Sequence, residues 1–322
     1  MSEQESGPRI RLGISACLLG QKVRYDGGHK LDHFLADELG RYVEWLPVCP
    51  EVECGLPVPR EAMHLVGDPD NPRLVTIKSG IDLTEQMTTW ARQRVEELAA
   101  EGLHGFVFKK DSPSSGLYRV RVYNEHGMAE RVGVGMFPRE VMRRFPLLPL
   151  EEEGRLNDAR LRENFVERVF TYHRWMTTLQ TGPTPGELVR FHTAHKLTLM
   201  AHSPAHAQKL GRLVAQIGRR PLSEIVAEYG PLLMEALKAI ATPGRQFNTM
   251  QHLFGFLKDS LSADDKQELL EQMEDYRRGL TPLIVPLTLF KHHIRRLPVP
   301  DWVHQQVYLN PYPKELMLRN RV

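Results

Sequence analysis

Hydrophobic positions in the first half of the chain fall into short apolar runs separated by longer stretches of helical spacing. Residues 10–16, 43–48, 74–78 and 105–108 are short, apolar and β-compatible. Residues 118–123 alternate Val120 and Val122 with arginines, the pattern of an edge strand. Between these runs, residues 31–42 set Leu31, Phe34, Leu35 and Leu39 at helical spacing, and 82–100 reads as a helix stopped by Gly102. Strands interleaved with helices predict an α/β, Rossmann-like domain on a mostly parallel sheet.

The second half changes period. Residues 157–172 place Leu161, Phe165, Val169 and Tyr172 on one face. Thr184-Pro185-Gly186-Glu187 has capping-box spacing with proline in the first turn. Residues 205–217 and 221–240 repeat the helical period, Ser262 to Asp265 caps another helix, and Thr281-Pro282 starts one more. An all-α domain of six or seven helices follows. The change falls near 146–156, where Pro146, Pro149 and Glu151-Glu152-Glu153-Gly154 read as a linker. The predicted domains are therefore residues 1–150 and 151–322.

Composition narrows the class. With 41% hydrophobic and 25% charged residues the chain is globular. No apolar run reaches the roughly 18 residues of a membrane helix, and residues 1–8 are polar, without the apolar core of a secretory leader. A cytoplasmic protein with no membrane partner is expected. Net charge is −2 over residues 1–150 and +4 over 151–322, and nine of the 14 histidines lie in the latter. That asymmetry hints at an anionic partner for the second domain. Arg219-Arg220, Arg277-Arg278 and the stretch from Lys291 to Arg296 cluster basic groups, and Arg174-Trp175 and Arg190-Phe191-His192 add aromatic neighbours. Such groups suit phosphates and unstacked bases, though ordinary solvated helix faces look the same. His192, His195, His202 and His206 lie on or near two helices; scattered packing outweighs a metal site there.

Only three cysteines occur, Cys17, Cys49 and Cys54, which excludes a disulfide scaffold and a zinc ribbon. Buried structural thiols and a metal or reactive site both remain open. Ligands of a parallel α/β sheet bind outside the carboxyl ends of its strands. Cys17 follows the first strand, Cys49 to Cys54 the second, and Lys109 to Gly116, with Ser112, Ser114 and Ser115, the run at 105–108. Thiols converging from separate loops suit a soft metal or an iron–sulfur group. Glu51 beside a thiol is placed as a general acid/base. The turn at Arg24-Tyr25-Asp26-Gly27-Gly28 and the stiff Pro57-Val58-Pro59-Arg60 offer an aromatic, an acid and a donor at the same edge.

At these loops the sequence resembles the TudS-type desulfidase family, through ISACLLG (14–20), VRYDGG (23–28), PVCPE (47–51), GLPVPR (55–60) and SPSSG (112–116). The second half resembles the YbgA-type helical domain, through LRENFVERVF (161–170), FHTAHKL (191–197) and YPKELMLRNRV (312–322). The resemblance implies a [4Fe-4S] cluster on three protein ligands with an open iron. It also implies non-redox removal of sulfur from thiouracil-type bases, with sulfide as product. In this domain combination it implies 4-thiouridine in tRNA as substrate. By position, Cys17 and Cys49 match cluster ligands, Glu51 and Ser112 catalytic residues, and Tyr25, Asp26, Arg60 and Ser114 the substrate-binding stretches. The family's third ligand cysteine falls where this chain has Ser115. Either Cys54 substitutes for it, or the chain is ligand-deficient. Two other functions stay open: desulfuration of free thiouracil with an oligomerising helical domain, and a non-enzymatic iron–sulfur sensor that binds RNA.

Overall fold

The computed structural model describes residues 10–180 and 182–322. The polar stretch 1–8 read above lies outside the described residues. The chain divides into two units, Met1–Asn157 and Asp158–Val322, so the boundary lies seven residues beyond the predicted one. Among the described residues no helix is long and apolar enough to cross a membrane.

The first unit runs β1 (Ile10–Ser15), β2 (Val43–Val48), α1 (Pro50–Glu53), β3 (Met63–Val66), β4 (Arg73–Thr76), α2 (Thr84–Glu101), β5 (Gly105–Phe108), β6 (Val120–Tyr123), β7 (Ala129–Gly133), α3 (Met136–Arg144) and β8 (Leu150–Glu152). The main sheet has the order β2-β1-β5-β8, and all three pairings are parallel. This is the mostly parallel α/β sheet that the alternating periods predict. Leu12, Ile14, Phe106, Val107 and Phe108 are buried, as expected of strands covered on both faces. Gly13 is required here, because a Cβ would come within 2.1 Å of the Phe106 ring.

Two expectations change. The runs near 74–78 and 118–123 do not join this sheet. They form β4 and β6 of a second, mixed sheet of order β4-β3-β6-β7. Residues 31–42 form a wide π turn, Phe34–Glu38, running into a 3₁₀ turn, Leu39–Arg41, which still buries Phe34, Leu35 and Leu39.

The supposed linker is the third correction. Glu151-Glu152-Glu153 begins as strand β8 on the main sheet, and all three side chains are buried. A charge run reads as solvated unless its partners are seen. Here the partners are backbone N–H groups, Lys109 and Arg155.

The second unit is helical, as predicted: α4 (Ala159–Gln180), α5 (Pro185–His202), α6 (Pro204–Val214), α7 (Leu222–Lys238), α8 (Pro243–Leu257), α9 (Ala263–Arg277), α10 (Ile284–Arg296) and α11 (Asp301–His304). The capping box of α5 forms: Thr184 Oγ1 accepts from the Glu187 backbone, and Glu187 accepts from the Thr184 backbone at 2.7 Å. Ser262 caps α9 in the same sense. Leu197, Met250, Leu253, Leu287 and Phe290 lie at the centre of its core.

Candidate active site

Because β1, β2, β5 and β8 are parallel, the loops after them leave the sheet at one edge. A cavity of about 470 Å³ opens there. Its lining includes Cys17, Cys49, Glu51, Tyr25, Arg60, Ser112 and Ser115, together with Lys109 and Lys110. The structure thus brings together the thiols, the carboxylate and two of the loop serines that the strand-end argument singled out.

Local chemistry fixes each loop. Ser15 Oγ accepts from the Lys109 backbone at 2.9 Å, tying the end of β1 to the end of β5. Glu153 takes the Lys109 ammonium at 2.5 Å and the Lys110 backbone N–H at 2.8 Å. Glu152 Oε1 accepts from the backbone N–H groups of Leu117 and Tyr118 at 2.8 and 3.0 Å, holding the far end of the serine loop. That loop closes tightly: Gly116 N–H donates to Ser112 O at 2.7 Å, and a Cβ on Gly116 would meet Ser112 O at 2.8 Å. Gly135, at the start of α3, packs equally closely on it. Glu152, Glu153 and Gly135 were not read as site residues in the sequence, and Lys109 was read only as the start of its loop. Their partners lie far along the chain, and no spacing announces them.

Glu51 sits at the centre of the polar contacts. Its Oε1 accepts from Ser114 Oγ at 2.5 Å, and its Oε2 lies 3.6 Å from Arg60 Nη2 and 3.4 Å from Cys49 Sγ. Ser114 Oγ also shares a hydrogen bond with Ser112 Oγ at 2.9 Å. The result is a relay of hydroxyls ending on a carboxylate. Arg60 has a side chain only 6% exposed, and its Nε has no hydrogen-bond partner among the described residues. A buried, unsatisfied donor beside a cavity is a position for a ligand's acceptor.

Cys17 and Cys49 are each 8% exposed. Burial pushes the Cys17 thiol up to about 11, partly opposed by Lys109. Burial, reinforced by the Glu51 charge, pushes Cys49 up to about 12. Ser115 is buried beside them, its Oγ 3.5 Å from Ser114 Oγ. At the three positions expected to hold a cluster, the cavity is therefore lined by two thiols and one alcohol. Iron–sulfur clusters are held by soft thiolates, and an alcohol oxygen is a harder, weaker donor. The set fits such a group through Cys17 and Cys49, with Ser115 as an oxygen third.

Ser114, predicted to bind substrate, is fully buried behind the lining, and two further predicted residues lie elsewhere. Cys54 ends α1, its Sγ donating to Glu51 O at 3.3 Å, and it packs against the core of Leu65, Leu74 and Met87 under the second sheet. It does not line the cavity. One helical turn between Cys49 and Cys54 is enough to send the two thiols to different places. Asp26 is exposed and caps its own turn, accepting from the Gly28 N–H at 2.9 Å with Arg24 at 3.4 Å.

In the helical unit His192, His195 and His202 bond to separate partners, and His195 Nε2 is buried with none among the described residues. His192 meets Tyr229 Oη at 3.2 Å, His195 the Phe191 carbonyl at 2.7 Å, and His202 the Glu167 carboxylate at 2.9 Å. Among the described residues no group of three metal-ligating His, Cys, Asp or Glu side chains occurs. Single members of the predicted basic clusters are paired internally. Arg220 pairs with Glu224 and Glu228, and Arg277 pairs with Glu274 and covers Phe247. Arg174 is buried against the Pro311 carbonyl.

Fold and site together define an α/β protein with a thiol-bearing cavity at the carboxyl edge of a parallel sheet, followed by a helical domain. Residues 12–153 match the 2-thiouracil desulfurase family, and residues 196–313 match DUF1722, a family of unknown function. The first unit thus carries a 2-thiouracil desulfurase domain and the second a DUF1722 domain. The chain is similar to the uncharacterized protein YbgA of Escherichia coli (strain K12), 29% identical over 166 residues, covering 51% of this chain and 98% of that protein. It is also similar to a solved structure of the [4Fe-4S]-dependent thiouracil desulfidase TudS. Identity there is 33%, over 46% of this chain and 94% of that one, with a TM-score of 0.39.

Proposed function

We propose that this chain is an iron–sulfur-dependent, non-redox desulfidase of the cytoplasm that converts 4-thiouridine in tRNA to uridine and releases sulfide. The observation that carries this reading is the single cavity that gathers two buried thiols, the Glu51 carboxylate and the hydroxyls of Ser112 and Ser115. Cys17, Cys49 and, through oxygen, Ser115 would hold the cluster. When bound, it supplies a thiophilic Lewis acid for the thiocarbonyl sulfur.

The protein's own groups do the rest. Arg60 Nε, left without a partner, donates to the ring's remaining carbonyl oxygen and fixes the base. Glu51 takes a proton from the water that attacks the ring carbon and returns it as the carbon–sulfur bond breaks. Ser114 and Ser112 pass protons to and from that carboxylate along bonds of 2.5 and 2.9 Å. Thiocarbonyl plus water gives carbonyl plus hydrogen sulfide, so no electrons are gained or lost.

Nucleoside mass spectrometry of thiolated tRNA, after incubation with the anaerobically reconstituted chain, tests the reading. Loss of 4-thiouridine with equal gain of uridine is expected, and Glu51→Gln should abolish it. Turnover of free thiouracil with tRNA untouched would favour the second reading, which the name of the TudS neighbour supports: a free-base desulfidase whose helical domain serves assembly. A cluster and RNA affinity without any turnover would favour the sensor.

A further inference from the structure

The helical unit holds a cleft of its own, which the desulfidase reading leaves unused. It measures about 1020 Å³, and its lining comes from α5, α6, α8 and, through Trp302, α11. A concavity of that order suits a small molecule. Leu199, Met200 and Trp302 give it apolar walls. Its ionisable lining residues are His192, Lys196 and His252, so every charge it can carry is positive.

The donors in this cleft are free. Lys196 is exposed, and among the described residues its ammonium has no carboxylate within ion-pair distance; its one contact is the Trp302 ring, 5.7 Å from the centre. His192 stands one turn earlier on the same face of α5. Its Nδ1 lies 3.2 Å from Tyr229 Oη. Burial holds the Tyr229 phenol well above its ordinary value, so the group keeps its proton, and among the described residues that proton has no other acceptor. The phenol therefore donates to Nδ1, which leaves the hydrogen of the neutral imidazole on Nε2. Burial and the Lys196 charge push His192 down to about 4, in keeping with a neutral ring. Nε2–H has no partner among the described residues, and it is faced by Gly211, where a Cβ would sit 3.8 Å away. A third donor adjoins these two. The first turn of α6 lines the cleft at Pro204 and Ala205, Ser203 caps the His206 N–H, and the Ala205 N–H has no partner among the described residues.

An ammonium, a neutral N–H and a helix-start N–H, with no carboxylate among the lining residues, select an anion. The apolar walls select an anion that carries a nonpolar body. Trp302 is already engaged by Lys196 and by Phe256, whose ring stands at 90° to it with centroids 4.9 Å apart. It therefore walls the cleft and offers no bare face on which a nucleobase could stack. We infer that the helical unit binds a small organic anion, a carboxylate or phosphate monoester on an apolar body, in the cleft between α5 and α6 through Lys196 and His192. This site lies wholly within the second unit and stands independently of the desulfidase reading.

Calorimetric titration of the full chain with 3-phenylpropionate, phenyl phosphate and the uncharged 3-phenylpropanol tests it. Both anions are expected to bind at least about tenfold more tightly than the alcohol, because each gains charge-assisted contacts. Lys196→Met should cost the anions about tenfold and leave the alcohol unchanged. Gly211→Leu should abolish binding of all three, since its side chain covers His192 Nε2. Leucine suits a helix interior better than glycine, so the melt of that variant should not fall. Tighter binding of phenyl phosphate than of 3-phenylpropionate would assign the site to phosphate monoesters, and the reverse order to carboxylates. Equal affinity for the anions and the alcohol would overturn the inference, as would unchanged anion affinity in Lys196→Met or the absence of binding by either anion. Unthiolated tRNA that displaces the anions from the unaltered chain, and whose own binding Gly211→Leu abolishes, would give the cleft to RNA and overturn it too.

Discussion

Glu152 is the strongest test of how the site is held in place. Its Oε1 receives two backbone N–H groups, from Leu117 and Tyr118, and the Leu117 side chain is buried. Glu152→Ala removes the shared acceptor. The Leu117 N–H is then left buried and unsatisfied, at a cost of about 1–3 kcal/mol, whereas the Tyr118 N–H, on an exposed residue, recovers water at little cost. Loss of the charge-assisted bonds themselves brings the expected total to about 2–4 kcal/mol. Glu152→Gln keeps a carbonyl oxygen in place for both donors. It also removes a carboxylate whose pKa is raised by burial and by the neighbouring Glu153, so its cost should stay below about 1 kcal/mol. Native-state hydrogen exchange reads this at the residue concerned. Protection of the Leu117 amide should fall roughly 30- to 1000-fold in the alanine variant and little in the glutamine one. Retention of iron and binding of thiouridine should weaken in parallel, because the same loop carries Ser112, Ser114 and Ser115. Unchanged Leu117 protection in the alanine variant would refute the reasoning. So would a glutamine variant as damaged as the alanine one.

Three further outcomes are expected. Iron and sulfide counts after reconstitution should be unaffected by Cys54→Ser, lost with Cys17→Ser, and better retained by Ser115→Cys; loss of iron with Cys54→Ser would return that thiol to the cluster. Arg319→Met should destabilise the helical unit by about 3–5 kcal/mol in denaturant melts, because it leaves Glu163 buried without its cation and Glu167 with His202 alone; a change under about 1 kcal/mol would contradict this. The Glu167–His202 pair should make the helical unit's stability bell-shaped in pH. Burial alone pushes the His202 imidazole down, but the Glu167 charge and hydrogen bond outweigh it and hold the group above its ordinary value. Burial likewise pushes Glu167 up, and His202 and Arg319 outweigh it, holding the carboxyl below its ordinary value. The imidazolium contribution is complete below about pH 6.5 and is lost as pH rises through the raised value. The carboxylate contribution is present above about pH 4.3 and is lost as pH falls through the lowered value. Melts of His202→Gln that keep the bell would refute the assignment to this pair.

The cavity was legible because each of its principal loops follows a short apolar run and opens with a thiol or with Lys109 and a serine loop. Parallel pairing then forces those loops to one edge, a consequence of topology that the alternating periods already carry. What stayed hidden depends on contacts distant in sequence. The glutamates of β8 look solvated in the sequence, yet Glu152 answers N–H groups 34 and 35 residues away. Cys54 looks convergent with Cys49 by proximity, and only the helical turn of α1 shows that it points to another core. The second sheet escaped for a similar reason: β3 pairs in parallel with β6 and antiparallel with β4, a mixed arrangement that no local period specifies. The paired arginines Arg220 and Arg277, by contrast, carried an unread signal. Arg277 stands three residues after Glu274 and Arg220 four before Glu224, the spacings at which helical side chains meet.

If the helical unit binds RNA as proposed, its buried pairs limit which groups are free to do so. The stretches that mark its likeness, LRENFVERVF and YPKELMLRNRV, join each other in the interior. Arg319 lies 3.3 Å from Glu163 and 3.8 Å from Glu167, Tyr312 donates to Glu163 at 2.9 Å, and Glu167 goes on to His202. These side chains are buried and internally paired, so they fasten the C-terminal segment to α4 and cannot also reach a phosphate. The proposed grip on tRNA would therefore fall to groups that the network leaves outside. At the end of α10, Arg295 and Arg296 are exposed, and among the described residues neither has a carboxylate within ion-pair distance. The residues that carry the family likeness and the residues that would carry the partner are thus different sets. Charge reversal at Arg295 and Arg296 should weaken tRNA binding without changing the melt, whereas Arg319→Met should change the melt first.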